Sequence, residues 1–126
     1  NRSSQDPVDT IKTVASLDEL NTLRESVDHV KIEPSISEYL LQIVMATRNH
    51  PHVRLGVSTR GTLLYARIAR ALAILEGRDY VIPEDIKKLA IPVMSHRMIL
   101  NTKAQYSGLS SSHIIQEILE RERVPR

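Results

Sequence analysis

Apolar positions recur along this chain at helical spacing, and helix start and stop signals fall between the runs. Ser16-Leu17-Asp18-Glu19 spells a capping box, a hydroxyl at the N-cap answered by a carboxylate three residues on. Leu17, Leu20, Leu23 and Val27 follow as a modest apolar stripe that ends near Asp28-His29. Ile36, Tyr39, Leu40, Ile43, Val44 and Thr47 stand at i, +3, +4, +7, +8 and +11, the face of an amphipathic helix. Ser35-Ile36-Ser37-Glu38 repeats the capping-box spelling at its start, and the segment from Asn49 to Gly56 breaks the period and is expected as a loop. A third helix is predicted from Ser58 to about Glu76, with Leu64, Ile68, Ala71, Leu72 and Leu75 as its apolar face and Gly77 as its stop. Pro83-Glu84-Asp85 opens a fourth, with Pro in the first turn and acids at the positive end of the dipole. Pro92 inside it should kink or split it near Ile91. Ile114, Ile115, Ile118 and Leu119 mark a last short helix. Val30-Lys31-Ile32 and Tyr80-Val81-Ile82 look extended and could pair with each other. The pattern predicts an all-α fold, a small bundle of about five helices with at most a tiny two-stranded β piece. Residues 1–15 read as an irregular lead-in and residues 16–123 as the bundle.

Composition narrows the class without naming a chemistry. A length of 126 residues suits one domain, and 41% hydrophobic residues suffice for one core. No apolar run approaches the roughly 20 residues of a membrane helix. The polar start from Asn1 to Pro7 has no apolar h-region, so no signal peptide is expected. With no Cys there is no disulfide framework and no thiolate metal site. A cytoplasmic location is the resulting expectation. Seventeen basic residues face fifteen acidic ones, with Arg outnumbering Lys. Arg grips phosphate or carboxylate in a planar fork, although a solvated surface of mixed charge explains most such residues. Phe and Trp are absent, which argues against an aromatic platform for single-stranded nucleic acid.

The chain does not spell a catalytic core for ATP chemistry. Gly56 and Gly61 have the spacing of a phosphate loop, but Thr62-Leu63 follow where Lys and Ser/Thr are required. No hydrophobic strand ends in paired acids, the usual magnesium-holding element. Arg60 stands in the predicted first turn of the third helix, where unpaired N–H groups and the dipole favour an anion. The same position suits an ordinary exposed Arg after an N-cap. Arg67 lies two turns on, where it could extend a basic track or simply be solvated. Arg48, beside Thr47, ends the second helix in a place that suits a cation, and His96-Arg97 close the fourth. Arg78 and Asp79 read as an ion pair within a turn. His50-Pro51-His52 offers two ring nitrogens with no evident third ligand, so no metal site is assigned. No Ser/His/Asp set stands out as a nucleophilic triad.

Several short words, taken together, are specific. They are Thr47-Arg48, Leu55-Gly56-Val57-Ser58-Thr59-Arg60, Ala69-Arg70-Ala71-Leu72-Ala73, Gly77-Arg78-Asp79-Tyr80-Val81, Pro83-Glu84-Asp85-Ile86 and His96-Arg97. In this order and spacing, over roughly residues 30–105, the chain resembles the C-terminal lid domain of the MoxR family of AAA+ ATPases. It departs from the family at Thr59 and Gly61, where Pro and Ala usually flank the Arg, and at Ile82, where a capping Thr is common. The resemblance implies that Arg60 is the sensor 2 residue, which contacts the ATP γ-phosphate from the lid side. It also implies ATP and Mg held with an ATPase core domain outside this sequence, a homo-hexameric ring, and protein remodelling or cofactor insertion as the task. A von Willebrand factor A domain protein is a further implied partner. By that reading this stretch alone is not an enzyme, and the intact protein is an ATPase.

The alternative is a small helical DNA-binding or adaptor module. The third helix is Ala-rich with its Arg residues spread around it, whereas a recognition helix clusters base-reading side chains on one face. Nucleic acid is therefore the less expected partner.

Overall fold

The computed structural model describes residues 6–126. Six α-helices follow in order: α1 (Leu17–Asp28), α2 (Pro34–Asn49), α3 (Thr59–Leu75), α4 (Pro83–Met94), α5 (Thr102–Tyr106) and α6 (Ser111–Arg121). Two short strands, β1 (Val53–Leu55) and β2 (Ile99–Leu100), pair antiparallel with Val53 opposite Leu100 and Leu55 opposite Ile99. Turns of 3-10 helix occupy Pro7–Thr10 and Ser95–Arg97. This is the helical bundle with a scrap of sheet that the sequence predicts. Residues 1–5 of the expected lead-in lie outside the described residues; in the remainder, Asp6 caps the first 3-10 turn by accepting the Val8 N–H at 3.1 Å.

Helix starts follow local chemistry. Ser16 and Glu19 form the expected capping box, with the Glu19 N–H donating to Ser16 Oγ at 3.1 Å and the Ser16 N–H to Glu19 Oε1 at 3.4 Å. The second spelling, at Ser35–Glu38, forms no box, because Pro34 already occupies the first turn of α2 and Glu33 is its N-cap. Ile82 has no capping oxygen, yet half a box survives: Asp85 Oδ2 accepts the Ile82 N–H at 2.9 Å. Gly77 follows α3 as expected, and the Arg78 N–H returns to Ala73 O at 2.8 Å.

The core is one cluster in which α3 and α4 lie against each other, α1 flanks α3, and α6 packs on α4 and α2. All six predicted face positions of α2 are buried. Helix α3 differs from its predicted face. It buries Gly61, Tyr65, Ala69 and Ala73, spaced four apart, while Leu75 is 78% exposed and Leu64 borders solvent. A stripe of small residues lets helix backbones approach closely, so size and not hydrophobicity decides which side turns inward. In α1 only Val27 is buried, and Leu17, Leu20 and Leu23 remain exposed.

Two further expectations hold only in part. Residues 30–32 and 80–82 meet only at an isolated parallel bridge between Lys31 and Tyr80. The paired strands lie instead within the expected loop 49–56 and at 99–100, fastened by Asn101 Nδ2 to Pro51 O at 2.8 Å. Pro92 does not split α4, which runs on to Met94. The proline sits in the last turn, and the carbonyl that it leaves without a donor, four residues back, belongs to exposed Lys88.

Candidate functional site

The amino end of α3 is built by the end of α2. Thr47 Oγ1 donates to Val44 O at 2.6 Å and accepts the Val57 N–H at 3.2 Å. The adjacent Arg48 donates from Nε to Val57 O at 2.7 Å. Consecutive side chains thus hold both backbone polar groups of one loop residue, and Val57 itself is fully buried. Gly56 permits the approach, since a Cβ there would stand 2.7 Å from Arg48 Cα and N, backbone that cannot yield. Ser58 follows as the N-cap, its Oγ accepting the Gly61 N–H at 3.1 Å. Gly61 brings the helix under Val57 and Arg97: a Cβ would lie 2.9 Å from Val57 Cγ1 and 3.2 Å from Arg97 Cδ.

Arg60 is therefore carried on a clamped and capped first turn. Its side chain is exposed, and among the described residues it takes part in no ion pair. First-turn amides, the positive end of the helix dipole and a guanidinium together suit an oxyanion. Arg67 is also exposed but belongs to a different neighbourhood, the seam between α1 and α3, beside Asp28, Leu64 and Arg70. Seven residues along a helix correspond to about 10 Å, so the two arginines do not border one hollow.

Other sequence candidates resolve into structure. Arg78 pairs not with Asp79 but with Asp85, at 2.6 and 2.8 Å, and with Glu76 at 2.7 Å. Asp85 is only 2% exposed, because it must reach back to the Ile82 N–H at the start of α4. Hydrogen bonds donated to Asp85, then to Glu76, hold the Arg78 guanidinium above its ordinary range. Both ring nitrogens of His50 are engaged. Nδ1 accepts the His52 N–H at 3.1 Å, and Nε2 lies 3.4 Å from Glu117 Oε2. Among the described residues no group of three His, Asp or Glu is placed to hold a metal.

Sequence reasoning missed what converges beside Arg60. An open groove of about 700 Å³ is lined by Arg48, Arg54 and Arg97 together with Leu55, Val57 and Thr59. These arginines come from α2, β1 and the turn after α4, and no local spacing signals their meeting.

A family model of the AAA lid domain matches residues 45–118, the stretch that contains the clamp, Arg60, α4 and most of α6. The chain belongs to the AAA lid domain family. Among its relatives, a Bacillus subtilis protein named YeaC is 40% identical over 119 residues, covering 94% of this chain and 37% of that protein. Chaperone MoxR1 of Mycobacterium tuberculosis is 29% identical over 124 residues, covering 91% of this chain and 33% of its own length. The crystal structure of a candidate ATPase from Cytophaga hutchinsonii superposes with a TM-score of 0.81 at 32% identity, covering 86% of this chain and 36% of that one. The resemblance to the MoxR family read from the sequence is thus borne out, and this lid spans about a third of the length of the relatives it matches. No helix among the described residues is long and apolar enough to cross a membrane.

Proposed function

We propose that this lid couples the nucleotide state of an adjoining AAA+ core to movement, with Arg60 as the sensor 2 residue on the ATP γ-phosphate. On this reading residues 16–123 are the lid bundle and residues 1–15 connect it to the core. The carrying observation is the bare guanidinium of Arg60 on a first turn that Thr47, Arg48 and Ser58 fix in place. A charge held so firmly transmits the presence or loss of a phosphate as a rigid-body rotation, because the helix bearing it is part of the core.

The residues fit the phosphate side of such a site and not its metal side. Arg60 and the first-turn amides of α3 are donors that would meet phosphate oxygens. The ligands for Mg would come from the core, as would the group that activates water for attack on the γ-phosphate. ATP supplies the transferable phosphoryl group; this chain orients and senses it. Arg67, at the α1–α3 seam, has the lesser claim to face the nucleotide. The working assembly in this proposal is a cytoplasmic homo-hexamer of the intact ATPase, remodelling or loading client proteins, with a von Willebrand factor A domain protein as a partner.

The test is Arg60→Ala in the intact ATPase. Hydrogen bonds to charged groups contribute about 1.5–3 kcal/mol, so turnover should fall roughly tenfold to hundredfold if the contact strengthens in the transition state. Lys should restore part of it, having the charge without the fork. Melting temperature should not move, because Arg60 is exposed. Wild-type turnover, or a loss explained by unfolding, would remove Arg60 from the role.

A further inference from the structure

We propose that the groove beside the amino end of α3 is a docking surface for an acidic polypeptide segment that also carries an apolar side chain. Three guanidinium-bearing residues, Arg48, Arg54 and Arg97, line it, and no carboxylate does. None of the three is in an ion pair among the described residues. Converging cations without counter-charges repel one another, and an acidic partner relieves that repulsion.

Two of the three are already oriented. Arg48 is tethered through Nε to Val57 O at 2.7 Å, and Arg97 through Nη1 to Val93 O at 2.9 Å. Each tether uses one side of the fork and leaves further N–H groups for a ligand. Side chains fixed before binding lose less freedom on binding. Arg54, on β1, is exposed and has no such tether among the described residues.

The groove is not purely polar. Leu55 lines it at 59% exposure, and Ile99, its register partner on β2, is 45% exposed beside it. Neighbouring exposed aliphatic side chains rimmed by arginines are the composition of a protein interface, where Arg is enriched and apolar anchors contribute the burial. An open groove that combines apolar and cationic groups suits a chain laid along it, with carboxylates gripped by the forks and one aliphatic side chain set on Leu55. Arg60 does not line the groove, but Arg48, Val57 and Ser58 belong both to the groove and to the clamp beneath Arg60. The variants that separate this proposal from the nucleotide reading are therefore at Arg54 and Leu55, which the clamp does not use.

The experiment titrates this chain into a short fluorescein-labelled peptide of alternating Glu and Leu and follows anisotropy at low and at physiological ionic strength. Saturable binding that weakens with salt is expected. Arg54→Glu should weaken it by at least about tenfold, Leu55→Ser should weaken it severalfold, and Arg60→Ala should leave it within about twofold. Circular dichroism of each variant should match the parent, since Arg54, Leu55 and Arg60 are all exposed. The proposal is overturned by the absence of saturable binding, or by equal binding of a peptide with Gln in place of Glu. Binding that Arg54→Glu leaves intact would also overturn it. Inorganic tripolyphosphate displacing the peptide at far lower concentration than the peptide itself needs would reassign the groove to phosphate.

Discussion

Among single residues, the ion pair between Arg78 and Asp85 carries the most consequence for stability. Asp85 is 2% exposed and receives two bonds from Arg78 besides the Ile82 N–H. Asp85 is buried while Arg78 is part-exposed, so removing Arg78 strands a buried carboxylate at a cost below the about 3–5 kcal/mol of a fully buried pair. Arg78→Ala should therefore shift the urea midpoint far more than Lys88→Ala, which breaks only a solvent-exposed pair. Equal shifts would show that Asp85 is hydrated and not dependent on Arg78. Hydrogen bonds from Arg78, then Lys88, hold the Glu76 carboxyl below its ordinary range. A depressed folded value means that its contribution is present above the ordinary carboxylate range and lost as pH falls through the folded one. Sequence alone pointed Arg78 to its neighbour Asp79, because the partner at Asp85 depends on how α4 returns to the end of α3. The same limit hid the arginine groove, whose members are brought together by tertiary contacts between residues 48, 54 and 97. The placing of Arg60 in the first turn of α3 was legible because it is local, a Ser cap and the turn that follows, whereas the clamp from Thr47 and Arg48 on Val57 spans strand β1 and was not.

At the scale of elements, helices were legible where apolar residues alone decide burial, and misread where size does. The predicted face of α2 is the observed one. In α3 Leu63, Leu64 and Leu75 are exposed, and the buried stripe runs through Gly61, Tyr65, Ala69 and Ala73. Periodicity weights Leu above Ala, so it chose the wrong side of a helix that is apolar on more than one. The short α5 was missed because five residues hold barely one turn; its one local signal is Asn101, whose Oδ1 accepts the Ala104 N–H at 2.8 Å. The strands were misplaced for a related reason, since two or three residues carry no usable alternation. The packing of α3 on α4 makes a direct expectation. Ala69 has no exposed surface, so Ala69→Leu must push the helices apart, and overpacking costs typically about 1–3 kcal/mol. Leu75→Ala, at a 78% exposed position that the sequence placed in the core, should cost less than about 0.5 kcal/mol. Thermal melts of the two variants check the assignment, and the reverse order would restore the leucine face as the packed one.

Most buried apolar residues among the described ones form a single cluster, and two tyrosines from different helices lie within it. Tyr65 is fully buried with its hydroxyl donating to Ile86 O, which joins α3 to α4. Tyr39 of α2 is 1% exposed. Burial, and then the proximity of Tyr39, push the Tyr65 hydroxyl well above the ordinary tyrosine range; Tyr39 is raised by burial and by Glu122 and Glu84. For an acid, a raised folded value favours the protonated form in the native state. The unfolded chain then ionises first as pH rises, beginning near the ordinary value of about 10. The stabilisation is complete below that value and is lost progressively above it. Alkaline unfolding should consequently be cooperative, with loss of the helical dichroism signal accompanied by a rise in tyrosinate absorbance from the buried rings. Tyr65→Phe separates this linkage from packing. At neutral pH it should cost about 0.5–1.5 kcal/mol, the net worth of one hydrogen bond. Above the ordinary tyrosine range the cost should shrink, because the variant has one fewer hydroxyl to ionise on unfolding. Urea midpoints of parent and variant at neutral and alkaline pH decide the matter: parallel declines would mean that Tyr65 does not govern alkaline stability, and converging ones that it does.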